Sequence, residues 1–213
     1  ICSFAFAQVT DDFSDGDFIN NPIWTGSTND FLVNTSQQVQ LNNTIASTSY
    51  LSTPHNMSTI DNQEWRVWTK QSFSPSSGNN GRIYLTSDNA DLTNTLNGYY
   101  IQLGESGSSD ALRLFKIEAG SSTLIFSGAD GQIASSFEVS IKVIRSALGE
   151  WTMYADFSGE DNYTFQNSAT DASSFTGSHF GFLDTYTSSN STKFYYDDIY
   201  IGNQIIDTEP PLM

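Results

Sequence analysis

Cysteine is nearly absent: the only one of the 213 residues is Cys2. A disulfide framework, a cysteine metal cage and a thiol nucleophile are therefore excluded for the rest of the chain. Basic residues are scarce, with 8 Lys and Arg against 24 Asp and Glu, a formal net charge of −16. A chain of that sign repels phosphates, which excludes sequence-independent nucleic-acid binding. Histidine occurs twice, as His55 and His179, so His-rich metal sites are excluded. No apolar run approaches the ~20 residues needed to span a bilayer. No long stretch carries helical periodicity, and no repeat of about 20–50 residues marks a solenoid or propeller.

What is present is a core and a surface. Hydrophobic residues make up 38% of the chain, including 15 Phe, which excludes a disordered chain. Counts of 31 Ser, 21 Thr and 17 Asn supply turns and outward strand faces. Apolar positions recur with period 2, the strand period. Phe137, Val139, Ile141 and Val143 fall on one face, with Glu138, Ser140 and Lys142 on the other. Trp151, Met153, Ala155 and Phe157 repeat the pattern. In the last segment, Phe194, Tyr196, Asp198 and Tyr200 alternate with Tyr195, Asp197, Ile199 and Ile201. Further strands are predicted at 31–34, 39–41, 46–51, 64–73, 82–86, 98–104, 111–118, 122–127, 163–167 and 179–185. Polar turns separate them, such as Ser76-Ser77-Gly78-Asn79-Asn80-Gly81 and Ser158-Gly159-Glu160-Asp161-Asn162. Trp24, Trp65 and Trp151 are expected in the core. Large side chains on both faces of several strands favour an all-β, two-sheet antiparallel jelly-roll sandwich over a small immunoglobulin sandwich.

Both ends read as something other than the domain. Residues 1–7, ending Ala5-Phe6-Ala7, resemble the tail of a secretory signal peptide, with cleavage expected before Gln8. A short buried first strand and a lipid anchor on Cys2 are the alternatives. The domain is expected over 8–204. Residues 205–213, with Asp207-Thr208-Glu209-Pro210-Pro211, read as a linker toward a downstream, immunoglobulin-like module of a longer chain.

Three marks together resemble the concanavalin A-like (laminin-G-like) jelly-roll domains of secreted bacterial multidomain proteins. They are Asp11-Asp12-Phe13 with Trp24, the meander Gly98-Tyr99-Tyr100-Ile101-Gln102-Leu103-Gly104, and the closing Phe194-Tyr195-Tyr196-Asp197-Asp198-Ile199-Tyr200-Ile201. The resemblance covers roughly 9–203 and implies a secreted or cell-surface setting. It implies no single activity, because the fold hosts lectins, carbohydrate-binding modules, hydrolases, lyases and adhesion modules.

Four constellations follow. The Glu-x-Asp-x-(x)-Glu strand of related hydrolases, which sets two carboxylates on one face, is missing: Glu138 is followed by Ser140 and Lys142. The Gln-x-His strand of related lyases is missing at both His55 and His179. Asp11, Asp12 and Asp15 near the start and Asp197-Asp198 on the last strand could share a structural calcium ion, since hard cations take carboxylate oxygens and first and last strands of jelly rolls lie close. Finally, planar polar side chains beside aromatic rings suit sugars. Arg66 and Trp68 share one strand face, Arg82 and Tyr84 another; Tyr84, Tyr100, Gln102 and Arg113 would meet if their strands form a meander. The expectation is a non-enzymatic module binding a neutral polysaccharide or surface glycan, or serving adhesion. A polysaccharide-degrading enzyme domain and a structural spacer remain alternatives.

Overall fold

The computed structural model describes residues 7–205. Residues 1–6 of the expected signal-peptide tail and most of the expected linker lie outside them, while both residues of the expected cleavage site, Ala7 and Gln8, fall in the first strand. Fifteen strands follow in chain order: β1 (Ala7–Asp11), β2 (Thr25–Gly26), β3 (Phe31–Val33), β4 (Val39–Leu41), β5 (Ser47–Pro54), β6 (Gln63–Gln71), β7 (Asn80–Ser87), β8 (Gly98–Leu103), β9 (Leu112–Glu118), β10 (Ser121–Ser127), β11 (Phe137–Arg145), β12 (Glu150–Asp156), β13 (Thr164–Thr170), β14 (His179–Tyr186) and β15 (Phe194–Asn203). Every segment predicted as a strand carries one; β1 and β2 add to them.

The strands form two antiparallel sheets. The first runs β13-β12-β11-β6-β15-β4-β3, with β1 also on β15. The second runs β10-β9-β8-β7-β14-β5-β2. Chain ends meet as expected, with Val9 opposite Ile201 and Asp11 opposite Ile199. The fold is a concanavalin A-like jelly roll.

Alternation decides what lies between the sheets. Val139, Ile141 and Val143 of β11 are buried, as are Trp151, Met153 and Ala155 of β12. From the second sheet come Ile83 and Leu85, Ile101 and Leu103, and Phe180 and Phe182. Aromatic rings tie the layers together. Phe182 stacks on Tyr196 at 3.9 Å and on Trp24 at 5.2 Å. Trp151 contacts Trp65 at 5.5 Å and Tyr99 at 4.7 Å. All three tryptophans expected inside are buried. Burying each such side chain contributes roughly 1.5–3 kcal/mol before entropy is counted.

The last strand departs from its predicted phase. Its pairing with β6 slips between Asp197, opposite Trp68, and Tyr200, opposite Arg66. Two residues of β15 thus face one of β6, which is a β-bulge. Asp198 has φ of 51°, the left-handed conformation typical of such an extra residue. Period-2 counting puts Phe194, Tyr196, Asp198 and Tyr200 on one face. The bulge corrects this: Phe194, Tyr196, Ile199 and Ile201 point inward, all at most 3% exposed.

One relief of strain is measurable. Replacing Asp198 by Gly removes roughly 1–2 kcal/mol of left-handed strain and returns part of it as unfolded-chain entropy. Asp198→Gly is therefore expected to stabilise by about 0.5–1 kcal/mol, read as a raised urea midpoint at unchanged slope.

Candidate functional site

The second sheet carries a groove on its outer face. Register places Tyr84 opposite Tyr100, Arg82 opposite Gln102, Gln102 opposite Arg113 and Tyr100 opposite Phe115. Directly opposed residues share a face, so Tyr84, Tyr100, Gln102 and Arg113 do gather there. The face is partly covered. Loop 88–97 folds across it and inserts Leu92 and Leu96 against Tyr84, Tyr100, Ile117 and Leu183. Asp88 fixes the loop's ends, accepting from the Asn97 backbone N–H at 2.8 Å and its side-chain amide at 2.6 Å.

Two open hollows remain, of about 340 and 470 Å³, and Arg82 lines both. The first is lined by Asn80, Tyr100, Gln102, Glu105, Arg113 and Phe115 among others. The second is lined by Tyr84, Leu92, Asn94, Thr95 and Leu183 among others. The sizes suit small-molecule or oligosaccharide units.

Aromatic exposure differs from the expectation. Tyr84 and Tyr100 are only 1% and 2% exposed, so they form the floor and not an open platform. Phe115 stacks on Tyr100 at 5.2 Å, and the Arg82 guanidinium lies 4.7 Å above the same ring. Burial pushes the Tyr84 hydroxyl pKa up. Polar side chains are held in place around this floor. Arg82 Nε donates to Gln102 Oε1 at 3.1 Å, and Gln102 Nε2 donates to Asn80 Oδ1 at 3.2 Å. Arg113 pairs with Glu105 and donates to Ser127 Oγ at 2.8 Å. Arg82, Asn80 and Phe115 were not among the predicted site residues. Arg82's shared face with Tyr84 was the available signal; Asn80 sits where a turn was expected, and its approach is tertiary.

Arg66 and Trp68 do not join that groove. They lie on β6, on the outer face of the other sheet, with the core between. There they line an open cleft of about 570 Å³ with Asp11, Asp12, Asp15, Asp161 and Asp198. Arg66 is ion-paired to Glu64 at 2.5 Å and sits 5.7 Å above the Tyr200 ring and 5.9 Å above Tyr163. Trp68 is 6% exposed and is covered by the β12–β13 loop. Gly159, at φ of 79°, allows that approach: a Cβ there would fall 2.9 Å from Trp68 Nε1.

Four of the carboxylates expected to bind calcium, Asp11, Asp12, Asp15 and Asp198, line this cleft, whereas Asp197 is not in its lining. Burial pushes Asp197 up to about 7, with Asp198, Asp12 and Asp11 adding repulsion against its backbone hydrogen bond. Burial likewise pushes Asp11 up to about 6, although Trp24 donates to it. Desolvation, then Asp161 and Asp12, raise Asp198. Some of their oxygens are already engaged. Asp11 accepts from Phe13 N at 2.9 Å and Trp24 Nε1 at 2.8 Å. Asp12 accepts from Ser14 Oγ at 2.7 Å, Asp15 from Asp17 N at 3.1 Å, and Asp197 from Asp198 N at 2.9 Å. The donor chemistry suits a hard cation, but among the described residues no three His, Cys, Asp or Glu side chains converge as a metal cage.

No protein-family model and no curated protein sequence matches the chain. Solved structures do. The Emp47p carbohydrate recognition domain superposes with a TM-score of 0.64 at 11% identity, covering 96% of this chain and 99% of that one. The Emp46p carbohydrate recognition domain, in a potassium-bound form, gives 0.62 at 11%, covering 95% and 100%. The VIP36 exoplasmic/lumenal domain bound to Ca2+ and Man3GlcNAc gives 0.60 at 13%, covering 98% and 93%. At these identities the likeness establishes the fold.

Proposed function

We propose that the chain is a carbohydrate-binding module whose site is the groove on the outer face of the second sheet. The observation that carries this reading is the set of fixed planar hydrogen-bonding groups, Asn80, Arg82, Gln102 and Arg113, around an aromatic floor. Sugars are bound by such groups without acid–base chemistry. The structural likeness to carbohydrate recognition domains and to a mannose-oligosaccharide complex supports it. Binding is favoured over cleavage because glycoside hydrolysis uses two carboxyl groups across the bond. The groove's lining holds one, Glu105, and Arg113 engages it.

A glycan array probed with the purified domain is expected to give binding. Gln102→Ala is expected to weaken it by about 3–10-fold, the value of one net hydrogen bond. Binding unaltered by that change removes the groove as the site, and polysaccharide cleavage by the domain overturns the binding reading in favour of an enzyme.

Calcium enters as a structural ligand of the acidic cleft, not of the groove. Asp12 and Asp15 each keep one carboxylate oxygen, and Asp198 both, outside the hydrogen bonds among the described residues. Uptake there is expected to raise Tm in millimolar calcium over chelator, and Asp198→Asn is expected to remove the difference. Equal Tm in both conditions takes calcium out of the proposal. An extracellular setting belongs to the same reading.

A further inference from the structure

Five of the eight basic side chains of this acidic protein face a carboxylate. Arg66 faces Glu64, Lys70 faces Glu138, Lys116 faces Asp171, and Arg145 is paired with Asp61. Arg113 has both Glu105 and Asp130. The ion pairs among the described residues leave out Lys142, Lys193 and Arg82, and Arg82 is the one arginine of the three. Its position is nevertheless fixed. Nε donates to Gln102 Oε1 at 3.1 Å, Nη1 reaches Tyr84 Oη at 3.5 Å, and the guanidinium lies over Tyr100. Nη2 has no protein acceptor among the described residues, and Nη1 has only that long contact. The end of the fork therefore faces the groove.

Few charged side chains line the two hollows. The second hollow has Arg82 as its one charged lining residue. The first has Arg82 and Arg113 against Glu105. A molecule of net charge −16 thus keeps in this groove one oriented guanidinium without a counter-ion among the described residues. Arginine forks match carboxylates with two parallel hydrogen bonds.

We propose that the groove recognises a glycan carrying an isolated acidic sugar, whose carboxylate binds the Nη1–Nη2 edge of Arg82. This rests on the carbohydrate-binding reading and names the ligand class for the same site. It also replaces the expectation of a wholly neutral ligand. A polymer with an acid on every ring is disfavoured, because the field of the whole protein repels it. One carboxylate within a hydrogen-bonded reach of Arg82 is governed by the local fork.

The test uses oligosaccharides matched in four forms: uronic acid, its methyl ester, the neutral parent sugar and a sulfate ester. Binding of each is titrated at physiological salt. The acid form is expected to bind about 10–100-fold tighter than its ester and neutral parent, the range for a hydrogen bond to a charged group. Arg82→Gln is expected to remove that difference. Arg82→Lys keeps the charge without the fork and is expected to lose most of it; both variants are checked for unchanged Tm. Equal binding of acid and ester overturns the proposal, as does an acid preference that survives Arg82→Gln. A preference for the sulfate ester over the acid overturns the carboxylate. If none of the four forms binds in any series, the carbohydrate-binding reading itself falls.

Discussion

Trp24→Ala is expected to cost about 3–5 kcal/mol, the range for deleting a large buried aromatic side chain. In a domain of this size that lowers Tm by roughly 6–20 °C. Trp24 is 1% exposed and joins three parts of the sandwich. Its ring lies 5.9 Å from Phe13, stacks on Phe182 and meets Phe180 edge-on at 6.0 Å. Its indole N–H reaches back to Asp11 Oδ2 on β1. Removing the ring opens a cavity that rigid neighbouring aromatics cannot fill. Trp24→Phe separates packing from hydrogen bonding. It keeps an aromatic ring and strips Asp11 of a donor, for an expected cost of about 1–3 kcal/mol. Thermal and urea melts of both variants measure these values. A loss under about 1 kcal/mol in Trp24→Ala would contradict the placement of this side chain as a core element.

Stability is expected to fall as pH rises from about 4 to 8, and Asp184→Asn is expected to flatten that slope. Asp184 is fully buried, and burial pushes its pKa from 3.8 up to about 8. The Tyr196 hydroxyl donates to Asp184 Oδ1 at 2.5 Å, while Oδ2 has no partner. Tyr196 itself is held protonated by the same burial. Between pH 4 and 8 the folded protein keeps a proton on Asp184 that the unfolded chain releases. Stability from that proton is therefore complete below about 4 and lost as pH rises through about 8. The difference is on the order of several kcal/mol. Asp197 and Asp11, raised to about 7 and 6, slope the same way with less weight because they are part exposed. His55 opposes them. Burial lowers it to about 4, so its contribution is complete above 6.5 and lost as pH falls toward 4.

Asparagine at 184 stays neutral and still accepts from Tyr196. Its amide can turn toward Gln71, whose side-chain oxygen and nitrogen lack partners. Gln71, Asp184 and Tyr196 all lie within about 3 Å of where a Cβ on Gly81 would stand. Near pH 5 wild type and variant are expected to melt alike; near pH 8 the variant is expected to melt higher. Parallel Tm profiles for the two proteins across this range would show that Asp184 is not the group responsible.

Local alternation by itself makes the strands of this protein legible. Period 2 in Phe137–Val143 and Trp151–Phe157 arises within single strands, so it needs no knowledge of partners. The meander of Tyr84, Tyr100, Gln102 and Arg113 is legible too, because consecutive strands pair with their neighbours most often. The C-terminal strand shows where that reading stops. One inserted residue, Asp198, reverses the inward and outward sense of everything after it, and only pairing with β6 reveals the insertion.

The chain's own alternation and composition thus determined an acidic all-β sandwich and its core tryptophans. Tertiary structure decided three further things. It set Arg66 and Trp68 on the face opposite the groove, beside the acidic cluster. It laid loop 88–97 over Tyr84 and Tyr100. It left Arg82 without a carboxylate partner while matching most of the other bases. Each of these depends on contacts between residues far apart in sequence, which side-chain periodicity does not encode.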